Sequence, residues 1–156
     1  MDIAREMVRL AAKRGKGTYF VANMAAIPVE NGSFDFATHL FAPFSETEFA
    51  RILKPGGSLY TVIPGEKHLF GLKEALYDTP YRNDEKLPET KLLQLVGTRK
   101  IAAKIKLASP EDIESVFRMT PYYFHTSQHD RQKLAAYETL ETPIEFVIAH
   151  YLKPEV

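Results

Sequence analysis

The chain has 156 residues, of which 45% are hydrophobic and 26% charged, and its 20 basic side chains balance its 20 acidic ones. This length predicts one domain with a substantial core, and the neutral net charge argues against a strongly basic nucleic-acid-binding arm. The absence of Cys excludes a disulfide framework, an iron–sulfur cluster and a thiolate zinc site. The sequence has no apolar run of transmembrane length and no signal-peptide pattern at its start, so we expect a soluble, cytoplasmic protein.

The first part of the chain predicts one helix followed by two strands. Apolar residues recur at helical spacing before Gly15, and Asp2 precedes them as a candidate N-cap. A short strand is expected over Thr18–Ala22. After a turn, the apolar and aromatic run Phe34–Phe41 predicts a strand that is buried on both faces.

A second helix–strand cycle follows directly. Ser45 and Glu48 form a capping-box pattern at a helix start, and the run Lys54-Pro55-Gly56-Gly57 ends that helix. The next segment, Ser58–Ile63, predicts a strand, and Glu66–Tyr77 predicts a helix. This alternation indicates an α/β architecture with a mainly parallel sheet.

The second half of the chain continues with less regular spacing. Residues 78–88 are polar and contain two prolines, so we expect a mobile loop there. Lys100–Leu107 alternates between charged and apolar residues, as a strand does. Ser109-Pro110 marks a helix start, Arg131–Leu140 predicts another helix, and Ile144–Leu152 predicts the last strand.

Four short motifs in the first third of the chain occur in a recognisable order and spacing. They are Asn23-Met24, Ile27-Pro28, Asn31-Gly32-Ser33-Phe34-Asp35 and Lys54-Pro55-Gly56-Gly57. The combination resembles the middle of a class I S-adenosylmethionine-dependent methyltransferase. The resemblance implies a Rossmann-like, three-layer α/β/α fold with strand order 3-2-1-4-5-7-6 and the cofactor at the carboxyl ends of the strands.

Three further motifs narrow the resemblance. Phe41-Ala42-Pro43, Pro64-Gly65-Glu66-Lys67-His68-Leu69 and Met119-Thr120-Pro121-Tyr122 occur in the order seen in the bacterial 23S rRNA (guanine-N1)-methyltransferase family. This resemblance implies S-adenosylmethionine-dependent methyl transfer to N1 of a guanine in an rRNA hairpin. Two alternatives stay open: a small-molecule class I methyltransferase, and a non-catalytic truncated remnant that forms a dimer.

The sequence also departs from the family pattern. Family members begin with a zinc domain rich in Cys and continue into a Gly-rich cofactor loop, and the sequence contains neither feature. Asp2-Ile3 resembles the end of the second family strand. We therefore expect one partial domain over residues 1–156, with the first two strands missing, as a fragment or a truncated gene product. Such a chain is expected to bind S-adenosylmethionine weakly or not at all and to be inactive alone.

Loss of those strands would expose an apolar sheet edge along Phe34–Phe41, which natural proteins rarely leave open. We expect either direct pairing of Thr18–Ala22 with this strand or burial of the edge in a homodimer.

The resemblance also suggests site residues, and no metal ligands are among them. The cofactor-binding candidates are Asp2, Ile3, Asn23, Met24, Ala42 and His68. Four of them have a structural alternative: Asp2 as a helix N-cap, Asn23 and Met24 as an ordinary turn, and His68 as a surface residue of a helix N-terminus. Removal of the guanine N1 proton calls for a base. His68 is the candidate catalytic residue, Asp35 is a second candidate with a favoured structural role, and His39 is expected to be a core histidine.

Substrate contacts are predicted from two groups of residues. Tyr122, Tyr123 and Phe124 either stack on an extruded guanine or belong to the core. A second, basic group either contacts RNA phosphates or forms a solvated strand face. Its members are Arg99, Lys100, Lys104 and Lys106.

Overall fold

The computed structural model describes residues 1–155 and contains five α-helices and four β-strands in that range. In chain order the elements are α1 (Arg5–Arg14), β1 (Phe34–Leu40), α2 (Glu46–Ile52), β2 (Leu53–Pro64), α3 (Phe70–Leu76), β3 (Gln94–Leu107), α4 (Pro110–Arg118), α5 (Gln128–Lys133) and β4 (Leu140–Leu152). Short 3-10 turns lie at Pro121–Phe124 and Leu134–Ala136. Within this part of the chain, no helix is long and apolar enough to cross a membrane.

The four strands form one sheet in the order β1-β2-β4-β3. Backbone hydrogen bonds join Gly56 and Gly57 to Lys153, and Gly65 to Glu145, so β2 and β4 are antiparallel. Strands 4, 5, 6 and 7 of the expected order 3-2-1-4-5-7-6 would appear as 4-5-7-6, which is the order observed. The predicted α/β fold is therefore confirmed, but the sheet is mixed rather than mainly parallel, because β4 runs antiparallel to β2.

The contacts divide the chain into two compact units. The first contains Met1–Thr61, Pro88–Gly97 and the chain from Ala149 onwards, and the second contains Val62–Leu87 and Thr98–Ile148. In the first unit, α2 buries the apolar side chains of Phe49 and Ile52.

The core of the second unit lies between its helices and β4. It is a cluster of eight buried apolar side chains: Leu72, Ala75, Leu76, Leu107, Ile113, Phe117, Leu134 and Leu140.

Helix α4 begins where the sequence predicts. Ser109 is its N-cap and its hydroxyl oxygen accepts a hydrogen bond from the backbone N–H of Asp112, with Pro110 in the first turn. Helix α3 is shorter than the predicted range Glu66–Tyr77. The chain turns at 66–69, and the helix starts only at Phe70. Residues 78–88 contain neither helix nor strand.

Two helix predictions were wrong in detail. Ser45 is the N-cap of α2, but its side chain makes no capping hydrogen bond. The other half of the capping box is also absent, since the Glu48 carboxylate binds Arg51 and the backbone N–H of Ile27. The helix expected at Arg131–Leu140 begins earlier, at Gln128, and ends at Lys133, so that residue 140 already belongs to β4.

The strand predictions near the start of the chain were also wrong. Thr18–Ala22 forms no strand: it makes one isolated parallel bridge, between Val21 and Asp2, and does not pair with β1. Strand β1, an outer strand of the sheet, is not buried on both faces. Among its residues only His39 is buried, and Phe36 is 64% exposed.

Candidate functional site

A cavity of about 460 Å³ lies in the first unit, beside β1. Five of the six predicted cofactor-binding residues line it: Asp2, Ile3, Asn23, Met24 and Ala42. These residues come from three segments that are separated by up to 40 positions in sequence, and the fold brings them together. The volume lies within the usual range of small-molecule sites.

Two polar side chains at this cavity are held in place by the backbone. Asp2 does not act as the N-cap of α1, which is Ala4, but its Oδ1 atom accepts the Ala4 N–H at 2.8 Å. The Oδ1 atom of Asn23 accepts the Ala25 N–H at 3.0 Å. Each contact uses one polar atom, so the second Asp2 oxygen and the Asn23 amide group are the groups that a ligand could engage.

The aromatic lining of the cavity was not predicted as part of a site. Phe34 and Phe36 line it and are exposed, although the sequence suggested a buried strand. Their alternate spacing is the signal that could have identified them, because residues two apart in a strand share one face. Phe41, directly after β1, has a φ of 49°, a conformation that costs energy for a bulky residue.

His39 also lines the cavity and is buried, as expected for a core histidine. Its Nε2 atom lies 2.9 Å from the carbonyl oxygen of Ala42, and its ring makes edge contacts with Phe44 and Phe49. The carbonyl can only accept, so Nε2 carries the proton and donates it, and the buried Nδ1 atom has no hydrogen-bond partner within residues 1–155. Burial lowers the pKa of His39, which keeps the ring neutral.

His68, the sixth cofactor candidate and the candidate catalytic residue, lies in the second unit. It sits in the turn between β2 and α3, where its Nδ1 atom accepts the Glu145 N–H at 3.3 Å and its ring packs on Phe146. Burial is the main cause that lowers the pKa of His68, and Glu145 opposes this shift. The next residue, Leu69, has a φ of 55°, so this turn is conformationally strained as well.

Asp35, the second candidate base, lies in β1 rather than at a turn, and its side chain is 80% exposed. Its Oδ1 atom accepts a hydrogen bond from Lys54 Nζ at 2.7 Å, and this contact lowers the pKa of Asp35.

The predicted basic residues differ in their surroundings. Lys100 pairs with Glu85 at 2.6 Å and with Glu145 at 3.1 Å, and these carboxylates raise its pKa. Lys104 is exposed on the outer strand β3 and has no ion pair among the first 155 residues. Two other basic residues of β3 are also exposed, Arg99 and Lys106.

The aromatic triplet is divided between core and surface. Tyr122 and Tyr123 are half-buried and pack against the core of the second unit. Burial raises the pKa of Tyr122, and the Arg131 guanidinium lies 4.4 Å from the centre of the Tyr123 ring. Phe124, in contrast, is 77% exposed.

For residues 1–155, no group of three or more His, Asp or Glu side chains is arranged to hold a metal ion.

Comparisons with known proteins support the resemblance that the motifs indicate. The family model described as "Methyltransferase domain" matches residues 1–61. A SAM-dependent methyltransferase structure from Methanosarcina mazei superposes with a TM-score of 0.52 at 17% identity, over 98% of this chain and 80% of that one. This likeness shows the fold, and the predicted resemblance to class I methyltransferases is confirmed.

Two curated relatives are similar in sequence as well. A Bacillus subtilis (strain 168) protein named "Putative 23S rRNA (guanine-N(1)-)-methyltransferase YxjB" is 33% identical over 84 residues, which are 53% of this chain and 30% of that one. The 23S rRNA (guanine(748)-N(1))-methyltransferase of Streptomyces fradiae is 36% identical over 78 residues, 49% of this chain and 28% of that one. The matched segment thus spans less than a third of either relative.

Proposed function

We propose that the chain is the cofactor-domain part of an S-adenosylmethionine-dependent methyltransferase that acts on N1 of a guanine in 23S rRNA. One observation carries the proposal: five residues expected to bind the cofactor line a single cavity of suitable volume. The names of the two curated relatives suggest the RNA target. A cytoplasmic location would follow from that target.

The chemistry of the cavity fits the adenosine part of the cofactor. The Asp2 carboxylate can accept hydrogen bonds from ribose hydroxyls, and the amide of Asn23 can donate to a purine edge. Apolar surface for the adenine ring comes from Ile3, Met24 and Ala42. When bound, the cofactor supplies a methyl group activated on a sulfonium, and the task of these residues is to hold and orient it.

His68 is the residue that we propose handles the guanine N1 proton. Burial favours the neutral ring, the form of a histidine that can take up a proton. The ring lone pair lies on Nδ1, which accepts the Glu145 N–H in a long hydrogen bond of 3.3 Å. Protonation of Nδ1 gives up this weak contact, so the Glu145 N–H has to turn away as the proton arrives. The ion pair of Asp35 with Lys54 favours a structural role for that carboxylate.

The substrate surface that we propose combines one exposed cation and one solvent-exposed aromatic ring. Lys104 is exposed on β3 without an ion pair in the described chain and can contact a phosphate, whereas Lys100 is held by two carboxylates. Phe124 offers its ring to solvent for stacking and lies against the Tyr123 ring, with 5.3 Å between the ring centroids, whereas Tyr122 packs into the core.

We also propose that this chain alone binds the cofactor weakly and is inactive by itself. A nuclear magnetic resonance titration with S-adenosylhomocysteine, carried to millimolar concentration, tests the site. We expect amide shifts confined to residues 2, 3, 23, 24 and 42, and weaker binding by Asp2→Asn, which keeps the contact to Ala4 but removes the charge. Asp84→Asn, at an exposed position outside the cavity, is the matched control.

Each result of the titration favours one function. Shifts at the cavity support the methyltransferase, whereas no shift at any concentration supports the non-catalytic remnant. Incubation with radiolabelled S-adenosylmethionine and a 23S rRNA hairpin then tests the target. Label on guanine N1 would support the rRNA target and contradict inactivity of the chain alone. Transfer to small acceptors but not to RNA would support the small-molecule alternative.

A further inference from the structure

A lysine is buried in helix α3 of the second unit. The side chain of Lys73 is among the largest fully buried ones, with 1% of its surface exposed. Its Nζ atom donates to Asn83 Oδ1 at 2.7 Å and to the Tyr81 carbonyl oxygen at 3.1 Å, and it lies 3.9 Å from the centre of the Tyr81 ring. No carboxylate pairs with it in residues 1–155. Burying an ammonium group is costly, so a neutral amide is an unexpected principal partner.

Asn83 connects this lysine to the turn that carries His68. Its Nδ2 group donates to the carbonyl oxygens of Gly65 at 3.0 Å and His68 at 2.9 Å, and its backbone N–H donates to the Glu66 carbonyl at 3.0 Å. An ammonium can only donate and a carbonyl can only accept. The lysine therefore fixes the orientation of the amide, with its oxygen towards Nζ and both N–H groups towards the turn.

We propose that Lys73 and Asn83 are positioning residues that hold the turn 65–69 in the conformation that presents His68. This inference rests on the proposed role of His68. The turn needs support, because Leu69 occupies the left-handed region at a φ of 55°. β4 supports its other side: the N–H groups of Gly65 and Leu69 donate to the carbonyls of Glu145 and Pro143.

This arrangement explains why the position holds Asn rather than Asp. A carboxylate at position 83 would give Lys73 a counterion, which favours the buried charge. The same carboxylate could not donate to Gly65 and His68, and its oxygen would face two carbonyl oxygens at hydrogen-bonding distance. The substitution Asn83→Asp therefore keeps a partner for the Lys73 ammonium but removes the two hydrogen bonds that Asn83 donates to the turn.

The experiment measures amide hydrogen exchange in the turn and the ring-nitrogen resonances of His68 in the full chain. In Asn83→Asp we expect exchange at Gly65, Lys67 and Leu69 to rise about tenfold, as for the loss of two hydrogen bonds. The His68 ring resonances should move as its contact with the Glu145 N–H changes. The thermal unfolding midpoint should be unchanged or higher.

Asn31→Asp is the matched control, because Asn31 also accepts a hydrogen bond from a cation, Arg51, at 2.9 Å but lies in the first unit. It should leave exchange in the turn and the His68 resonances unchanged. Lys73→Met should raise exchange in the turn in the same direction, since the amide is then free to rotate. A folded Asn83→Asp with wild-type exchange and His68 resonances would overturn the proposal, and so would wild-type exchange in Lys73→Met.

These readouts require neither cofactor nor RNA. Failure of the positioning proposal would therefore appear in the free chain. Failure of the proposed function would appear as a cavity that does not respond to S-adenosylhomocysteine in a chain whose turn behaves as expected.

Discussion

Arg51 is the residue that organises the loop between Asn23 and β1. Its guanidinium donates to the carbonyl oxygens of Ile27 and Val29, each at 2.7 Å, and to the carboxylate of Glu48 in the preceding turn of α2. The fork of the guanidinium suits several planar acceptors at once, which a lysine could not satisfy. One side chain therefore connects α2 to a loop whose residues line the cavity.

The carboxylate of Glu48 makes this network sensitive to acid. The hydrogen bond from Arg51, with that from the Ile27 N–H, lowers the pKa of Glu48 from 4.5 to about 2. Because the folded-state pKa lies below the unfolded one, the network contributes stability above about pH 4.5 and loses it as the pH falls towards 2. We expect Glu48→Gln to unfold more easily than wild type at neutral pH and the difference to shrink in acid.

Urea unfolding between pH 7 and pH 2.5 measures this prediction. Glu30→Gln is the control, because Glu30 is exposed on the same loop and its carboxylate accepts no hydrogen bond in the described structure. It should follow the wild-type pH profile. A constant difference between wild type and Glu48→Gln across this range would show that the carboxylate does not carry the pH dependence.

At the scale of elements, the packing of α3 on β4 depends on one glycine. A Cβ atom at Gly71 would lie 2.5 Å from the Glu141 carbonyl oxygen and 3.1 Å from Thr142 Cα, both backbone atoms that cannot rotate away. Alanine in a helix is ordinarily favoured over glycine by about 0.5–1 kcal/mol. At Gly71 the close approach of these backbone atoms should make alanine less stable than glycine.

We predict that Gly71→Ala lowers the free energy of unfolding by about 1–3 kcal/mol, the usual cost of overpacking. Gly97→Ala is the matched control, since a Cβ atom there would meet nothing within 4 Å. Chemical denaturation of both variants gives the comparison. Equal stability of Gly71→Ala and wild type would mean that α3 can shift without cost.

The sequence predicts which segments form elements better than it predicts their neighbours. Ser109-Pro110 identifies the start of α4 because capping is local. The start of α5 carried a similar signal that we missed, since the Ser127 hydroxyl oxygen accepts the Asp130 N–H. The exposed faces of β1 could not be predicted from its own residues, and the expectation of an open edge came from the missing family strands instead. Whether an apolar strand is buried depends on what packs on its faces, and those neighbours are remote in sequence.

At the scale of the whole molecule, the same limit applies to the candidate site. Motif spacing selects Asp2, Asn23 and Ala42, and the fold brings them to one cavity. Spacing does not indicate that Glu145, 77 residues beyond His68, binds its ring nitrogen. Nor does it indicate that a buried lysine orients Asn83. Such contacts depend on strand order, which fixes long-range neighbours only after the sheet has formed.

The outer strand β1 leads to a prediction about assembly. Phe34, Phe36 and Leu40 are exposed on it, and an open apolar edge is a surface on which another strand can pair. We predict a homodimer through β1. Phe36→Lys should convert it to a monomer, because a lysine on an edge strand would have to be desolvated on pairing.

Sedimentation velocity over a range of concentrations tests this assembly. Ile101→Lys is the control, since Ile101 is exposed on β3, the other outer strand of the sheet, and its replacement should leave the dimer intact. Dissociation by Ile101→Lys but not by Phe36→Lys would place the interface on the opposite edge. A wild-type monomer at every concentration would show that the exposed phenylalanines of β1 face solvent in the isolated chain without driving self-association.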